Sequence, residues 1–147
     1  DVHWDAGELA ARHGVPVYVP AFVDPTLDGA PRVERFTGEL GDTGFRVRRV
    51  VNLPGWSEAA LSDGETLVVG DALGTAPHFL AGEEPVGVHP LLRLFPPSAL
   101  REYDPARVLV GHGAGVHDDA AAALTEALDT ARRRLPKAWL GALRSLF

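Results

Sequence analysis

The sequence contains no cysteine, which excludes disulfides, thiolate metal sites and a cysteine nucleophile. Lysine is nearly absent as well: Lys137 is the only one, and the remaining basic side chains are arginines. With 14 Lys+Arg against 20 Asp+Glu the formal net charge is −6. The positive excess that a phosphate-binding surface requires is therefore missing, and nucleic acid is not an expected partner. No apolar run approaches the length of a membrane span and no signal-peptide pattern is visible, so a cytoplasmic protein without a membrane span is expected. No repeat period is evident.

What is present is an ordinary globular composition, 46% hydrophobic and 23% charged over 147 residues, enough for a core. Residues 5–13 have helical spacing, with Gly14 as a stop. Residues 15–19 (VPVYV) read as a short buried strand. The stretch 32–36 alternates and is either an edge strand or a helical turn, and 45–51 is a strand that ends at NLPG. SDGE at 62–65 is a turn before the buried strand 66–69. Residues 73–97 form a Gly/Pro-rich passage of about two dozen residues, long enough to carry function or its own short helix, here 90–95. Ser98 is placed to cap a short helix through Tyr103. A further strand, 107–110, delivers GHG. Asp118 and Asp119 precede the clearest helix, 120–134, whose three terminal arginines complement its dipole and which Pro136 is expected to end. Strands alternating with helices indicate an α/β protein whose post-strand turns carry the chemistry.

Three such turns hold metal-ligating residue types: DVHWDA at the start, PGWS with GDAL in the middle, and VGHG near the end. Imidazole nitrogen together with carboxylate oxygen is the donor set of zinc, manganese or iron in hydrolytic sites. His3 and Asp5, two residues apart, project together only from extended or turn backbone just ahead of the helix. Singly, each has an ordinary explanation, a helix cap for the aspartate or a hydrogen-bonded structural role for the histidine. His78 and His89 lie in the long loop, exposed or locally bonded, where they would border a cleft; His117 belongs to a turn, and His13 suits a helix C-terminus. VLVGHGAG followed by a helix also imitates a dinucleotide-binding phosphate loop, but no later strand with an acid follows. It imitates a nucleophile elbow as well, but Gly113 stands in the serine position.

In order along the chain, VHWDAGELAARHGVPVYVP, LPGWS with DGETLVVGDALG, and RVLVGHGAGV before an Ala-rich helix resemble successive motifs of the metallo-β-lactamase-fold hydrolases. The resemblance runs from the first residue to about Arg134 and corresponds to roughly the C-terminal two-thirds of such a domain. It implies an αββα sandwich lacking its N-terminal strands, with a metal site at one edge of the paired sheets. Carried over residue by residue, His3, Asp5, Asp71 and His112 occupy ligand positions, and Asp5 also orients the attacking water. The departures are Asp1, Ala6 and Trp56, each standing where the family has histidine. The resemblance thus implies at most one divalent ion, zinc with manganese or iron as alternatives, held by Asp5, Asp71 and His112 with His3 nearby. The alternative is no metal at all, with Trp56 filling the vacated volume.

The expected activity is metal-dependent hydrolysis of a small-molecule ester, thioester, amide or phosphoester. The competing expectation is a non-catalytic descendant serving as a binding or structural module. The expected organisation is a domain over 1–135 and an amphipathic tail over 136–147. The tail's apolar stripe is expected to pack on the domain or on a second copy, giving a homo-oligomer, rather than lie on a membrane.

Overall fold

The computed structural model describes the backbone of residues 4–24, 29, 30 and 32–144, with side chains for all of these except residues 4, 5 and 140–144. Asp1 and His3 lie outside the described residues. The architecture is mixed α+β and divides into two units, Asp1–Val47 and Arg48–Phe147.

In the first unit, helix α1 (Trp4–His13) leads into strand β1 (Val17–Pro20), which pairs in parallel with β2 (Val33–Phe36). Gly14, at φ 64°, closes the helix: its N–H bonds the Ala11 carbonyl and the Val15 N–H bonds the Ala10 carbonyl. That double bond pattern needs a left-handed residue, which glycine supplies without steric cost. Ala10 faces inward, whereas Leu9, its neighbour in the apolar pattern, is exposed. The stretch 32–36 resolves as strand because its backbone is bonded to β1, from Val17↔Val33 to Pro20↔Phe36.

The second unit is built on a four-stranded sheet in the order β3 (Arg46–Leu53), β4 (Trp56–Ser62), β5 (Thr66–Val69) and β8 (Arg107–Val110). β4 and β5 are antiparallel, and β5 and β8 are parallel. Alternation sends Ala60, Leu67, Val69 and Val108 to one face. There they form a single core with Leu124, Ala127, Leu128 and Ala131 of helix α2 (Ala120–Arg144). The connection between β5 and β8 contains the two-residue strands β6 (Leu73–Gly74) and β7 (Gly87–Val88), paired with each other.

Three local expectations are corrected. The helix expected over 90–95 is a single 3₁₀ turn, Pro90–Leu92, capped by the His89 side chain. Ser98 is the first residue of the next 3₁₀ turn, Ser98–Glu102, rather than its cap: Pro97 holds the cap position and no side chain bonds there. α2 continues through Pro136 to Arg144. A proline inside a helix costs about 3 kcal/mol. The apolar stripe stays in phase across it, however, with Ala131 and Ala138 both fully buried, and that packing holds the last turns in register. Among the described residues no helix is long and apolar enough to cross a membrane.

Candidate functional site

Because β5 and β8 run in parallel, their C-terminal ends emerge at the same sheet edge, and antiparallel β4 begins there. Topology alone therefore gathers Asp71, two residues past β5, His112, two residues past β8, and the Trp56–Glu58 start of β4. Asp71 Oδ1 and His112 Nε2 meet at 3.0 Å, with side chains 51% and 42% exposed. Two of the residues singled out from sequence are thus in direct contact and open to solvent.

The backbone around His112 is clamped. Its carbonyl accepts from Thr75 N (2.9 Å) and Ala76 N (3.1 Å). Gly111 N donates to the Gly70 carbonyl at 3.1 Å, and Gly115 N donates to Thr75 Oγ1 at 3.1 Å. Gly113 is pressed against the same segment at φ 111°; a Cβ there would collide with Thr75 Oγ1 and sit 2.7 Å from the Ala76 nitrogen. The glycines beside His112 are therefore required by the close approach of two backbones.

Beneath the pair lies Phe79, almost fully buried. Its ring stacks on His112 (5.6 Å, 26°) and meets His89 edge-on (5.4 Å), with His78 at 4.8 Å. His78 and His112 are 5.8 Å apart, and Trp56 packs edge-on against His89 at 4.9 Å. His78 and His89 of the long loop thus do border the Asp71–His112 pair, through a shared aromatic floor. His89 is also locally bonded, its Nδ1 accepting from Leu91 N at 3.2 Å. Burial holds the His89 imidazole below its ordinary range. The Asp71 carboxylate opposes that shift, and His78 and His112 reinforce it.

Glu58 was not singled out by the sequence. In β4 it shares the inward parity of Trp56, Ala60 and Ser62, and that alternation was the available signal. It is buried, with Oε1 accepting from Ala72 N (3.0 Å) and Oε2 from the Trp56 indole N–H (3.2 Å). It ties the residue after Asp71 to Trp56, so the indole is held by a hydrogen bond as well as by packing. Burial pushes the Glu58 carboxyl above its ordinary value of 4.5, against the two N–H bonds that lower it, and nearby Asp71 raises it further.

A carboxyl raised in the folded state stabilises below its unfolded pKa, and that contribution is lost as pH climbs through the folded value. The stability of the native protein relative to Glu58→Gln is therefore expected to fall as pH rises from about 4.5 toward neutrality, read from urea midpoints across that range. A pH-independent difference would show that Glu58 titrates alike in both states.

Among the described residues no three His, Asp or Glu side chains are arranged to hold a metal ion. Asp71 and His112 converge, while Glu58 is committed to two N–H donors. Asp5 lies in α1 of the first unit with its side chain outside the described set, and His3 is outside it altogether. The described donors alone therefore do not make a metal centre. Comparison with protein-family models and with curated proteins gives no match.

Proposed function

We propose that the chain is a metallo-β-lactamase-like, metal-dependent hydrolase-family domain of αββα sandwich type, whose site is reduced to at most one divalent ion. Asp71 and His112 are two of its ligands, Asp5 is the third and the residue that orients the attacking water, and His3 lies nearby. The substrate is a small-molecule ester, thioester, amide or phosphoester, and the location is cytoplasmic. The observation that carries this reading is the meeting of Asp71 and His112 at 3.0 Å, half exposed, at the ends of two parallel strands. Ligands of catalytic zinc are of these types, and three suffice beside an open position.

Metal analysis of protein purified without chelator, followed by calorimetric titration with zinc and with manganese, tests it. One equivalent per chain is expected, with at least tenfold weaker binding in Asp71→Ala, His112→Ala and Asp5→Ala. A second reading, a non-catalytic binding module, is favoured by the way Asp71 and His112 satisfy each other and by the lack of a third donor among the described residues. No binding of either metal by the native chain decides for that second reading.

A further inference from the structure

The chain is acidic overall, yet its last stretch is not. From Thr130 onward there are five cations, Arg132, Arg133, Arg134, Lys137 and Arg144, and no acid. Three acids near this part of α2 are already paired: Glu84 with Arg93 and Arg134, Glu126 with Arg134, and Asp129 with Arg101. Arg132, Arg133 and Lys137 are exposed and have no carboxylate partner among the described residues.

Beside Arg132 stands an apolar knuckle. After the turn Pro90–Leu92, Leu92 and Arg93 point inward and are buried, while Leu91, Leu94 and Phe95 point outward at 67%, 50% and 74% exposure. The Phe95 N–H bonds the Leu92 carbonyl at 3.0 Å, which keeps the knuckle closed. Arg132 joins it to α2: its Nε donates to the Leu94 carbonyl at 2.8 Å, and its guanidinium lies over the Phe95 ring. Trp139, half exposed, falls two helical turns further on the same side as Arg132.

We infer that the Leu91–Leu94–Phe95 knuckle and the cationic side of α2 dock this protein on an anionic lipid bilayer. Protruding leucines and aromatics next to unpaired Arg and Lys are the composition of an interfacial anchor: the apolar tips enter the acyl boundary while the cations meet the headgroups. Leu91, Leu94 and Phe95 are each at least half exposed, which leaves their apolar tips free to enter lipid. The net charge of −6 does not oppose docking, because screening limits each charge to roughly 8–10 Å and Glu84, Glu126 and Asp129 are paired. The inference is independent of the Asp71–His112 site.

The full chain should float with phosphatidylcholine vesicles containing a third phosphatidylglycerol at least tenfold more strongly than with phosphatidylcholine alone. Raised salt should release it. Leu94→Ser with Phe95→Ser, and separately Arg133→Gln with Lys137→Gln, should each reduce binding about tenfold while leaving the thermal melt unchanged, since all four side chains are exposed. The absence of cysteine allows Leu91→Cys to carry an environment-sensitive dye, which should shift to the blue on the anionic vesicles. Equal binding to both vesicles, or none, overturns the inference. So does a concentration-dependent dimer dispersed by the Leu94/Phe95 variant, which would assign the surface to a second copy. Tighter binding of an acidic amphipathic peptide without any vesicle binding would assign it to a protein partner.

Discussion

Replacing Glu84 with alanine is expected to destabilise the second unit by about 3–5 kcal/mol, the usual consequence of removing one partner from a buried ion pair. Glu84 and Arg93 are both fully buried side chains, an unusual placement for either type. Glu84 Oε1 accepts from Arg93 Nη2 and from the Ala81 N–H (2.6 Å); Oε2 accepts from Arg134 at 2.9 Å and from Arg93 Nη1 at 3.5 Å. Arg93 in turn donates to the Phe79 carbonyl at 2.6 Å. The network pins the long β5–β8 connection to α2 and holds the backbone of the residue that floors the site. Without Glu84 the Arg93 charge would remain in a dry interior with one carbonyl for company. Urea unfolding reads the loss as a lowered midpoint. Glu84→Leu combined with Arg93→Met should recover much of it, because neither charge is then left unpaired. Arg134→Gln should cost about 1 kcal/mol or less, since that side chain reaches solvent. An unchanged midpoint for Glu84→Ala would show that the pair adds nothing to folding.

Gly113→Ala carries the second large effect, about 2–3 kcal/mol or more from combined backbone strain and overpacking. The added methyl would enter the space occupied by Thr75 and the Ala76 amide, the two residues whose N–H groups hold the His112 carbonyl. Relief requires the 111–115 turn to lift, which draws His112 away from Asp71 and off the Phe79 ring. Gly64→Ala is the matched control: it also has positive φ, 98°, but no atom lies within 4 Å of the new methyl. Its cost should stay near 1–2 kcal/mol, the strain of the left-handed backbone alone. Imidazole signals in heteronuclear NMR should change at His112 in Gly113→Ala and not in Gly64→Ala. Equal stability losses in the two variants would rule out the close approach as the cause.

Much of the second unit was legible from local pattern. Residues 67–69 and 108–110 are short apolar runs bounded by polar and turn residues, and they lie in the paired strands β5 and β8. Asp71 and His112 were identified by their position just after those strands, and the parallel pairing makes that position meaningful. The full length of α2 is not legible locally, because the cost of Pro136 is local whereas the burial of Ala131 and Ala138 that outweighs it is tertiary. Glu58 had only the alternation of β4 to mark it as inward, and Phe79 and the Arg93–Glu84 pair carried no local signal. A glutamate, a phenylalanine and an arginine in these positions look like ordinary strand or loop residues until their neighbours, distant in sequence, surround them.

By itself the sequence determined which residues could do chemistry, where strands and helices alternate, and that no thiol takes part. These depend on side-chain type and on near-neighbour periodicity, which are properties of the unfolded chain as well. Only the tertiary structure decided that Asp71 meets His112, that Phe79 underlies the imidazoles, that an ion pair is sealed inside the long connection, and that Leu91, Leu94 and Phe95 stand outward beside unpaired cations. Those arrangements come from strand pairing and core packing between segments dozens of residues apart, for example Glu84 with Arg134. No local pattern encodes that pairing, because its energy exists only once the chain has closed.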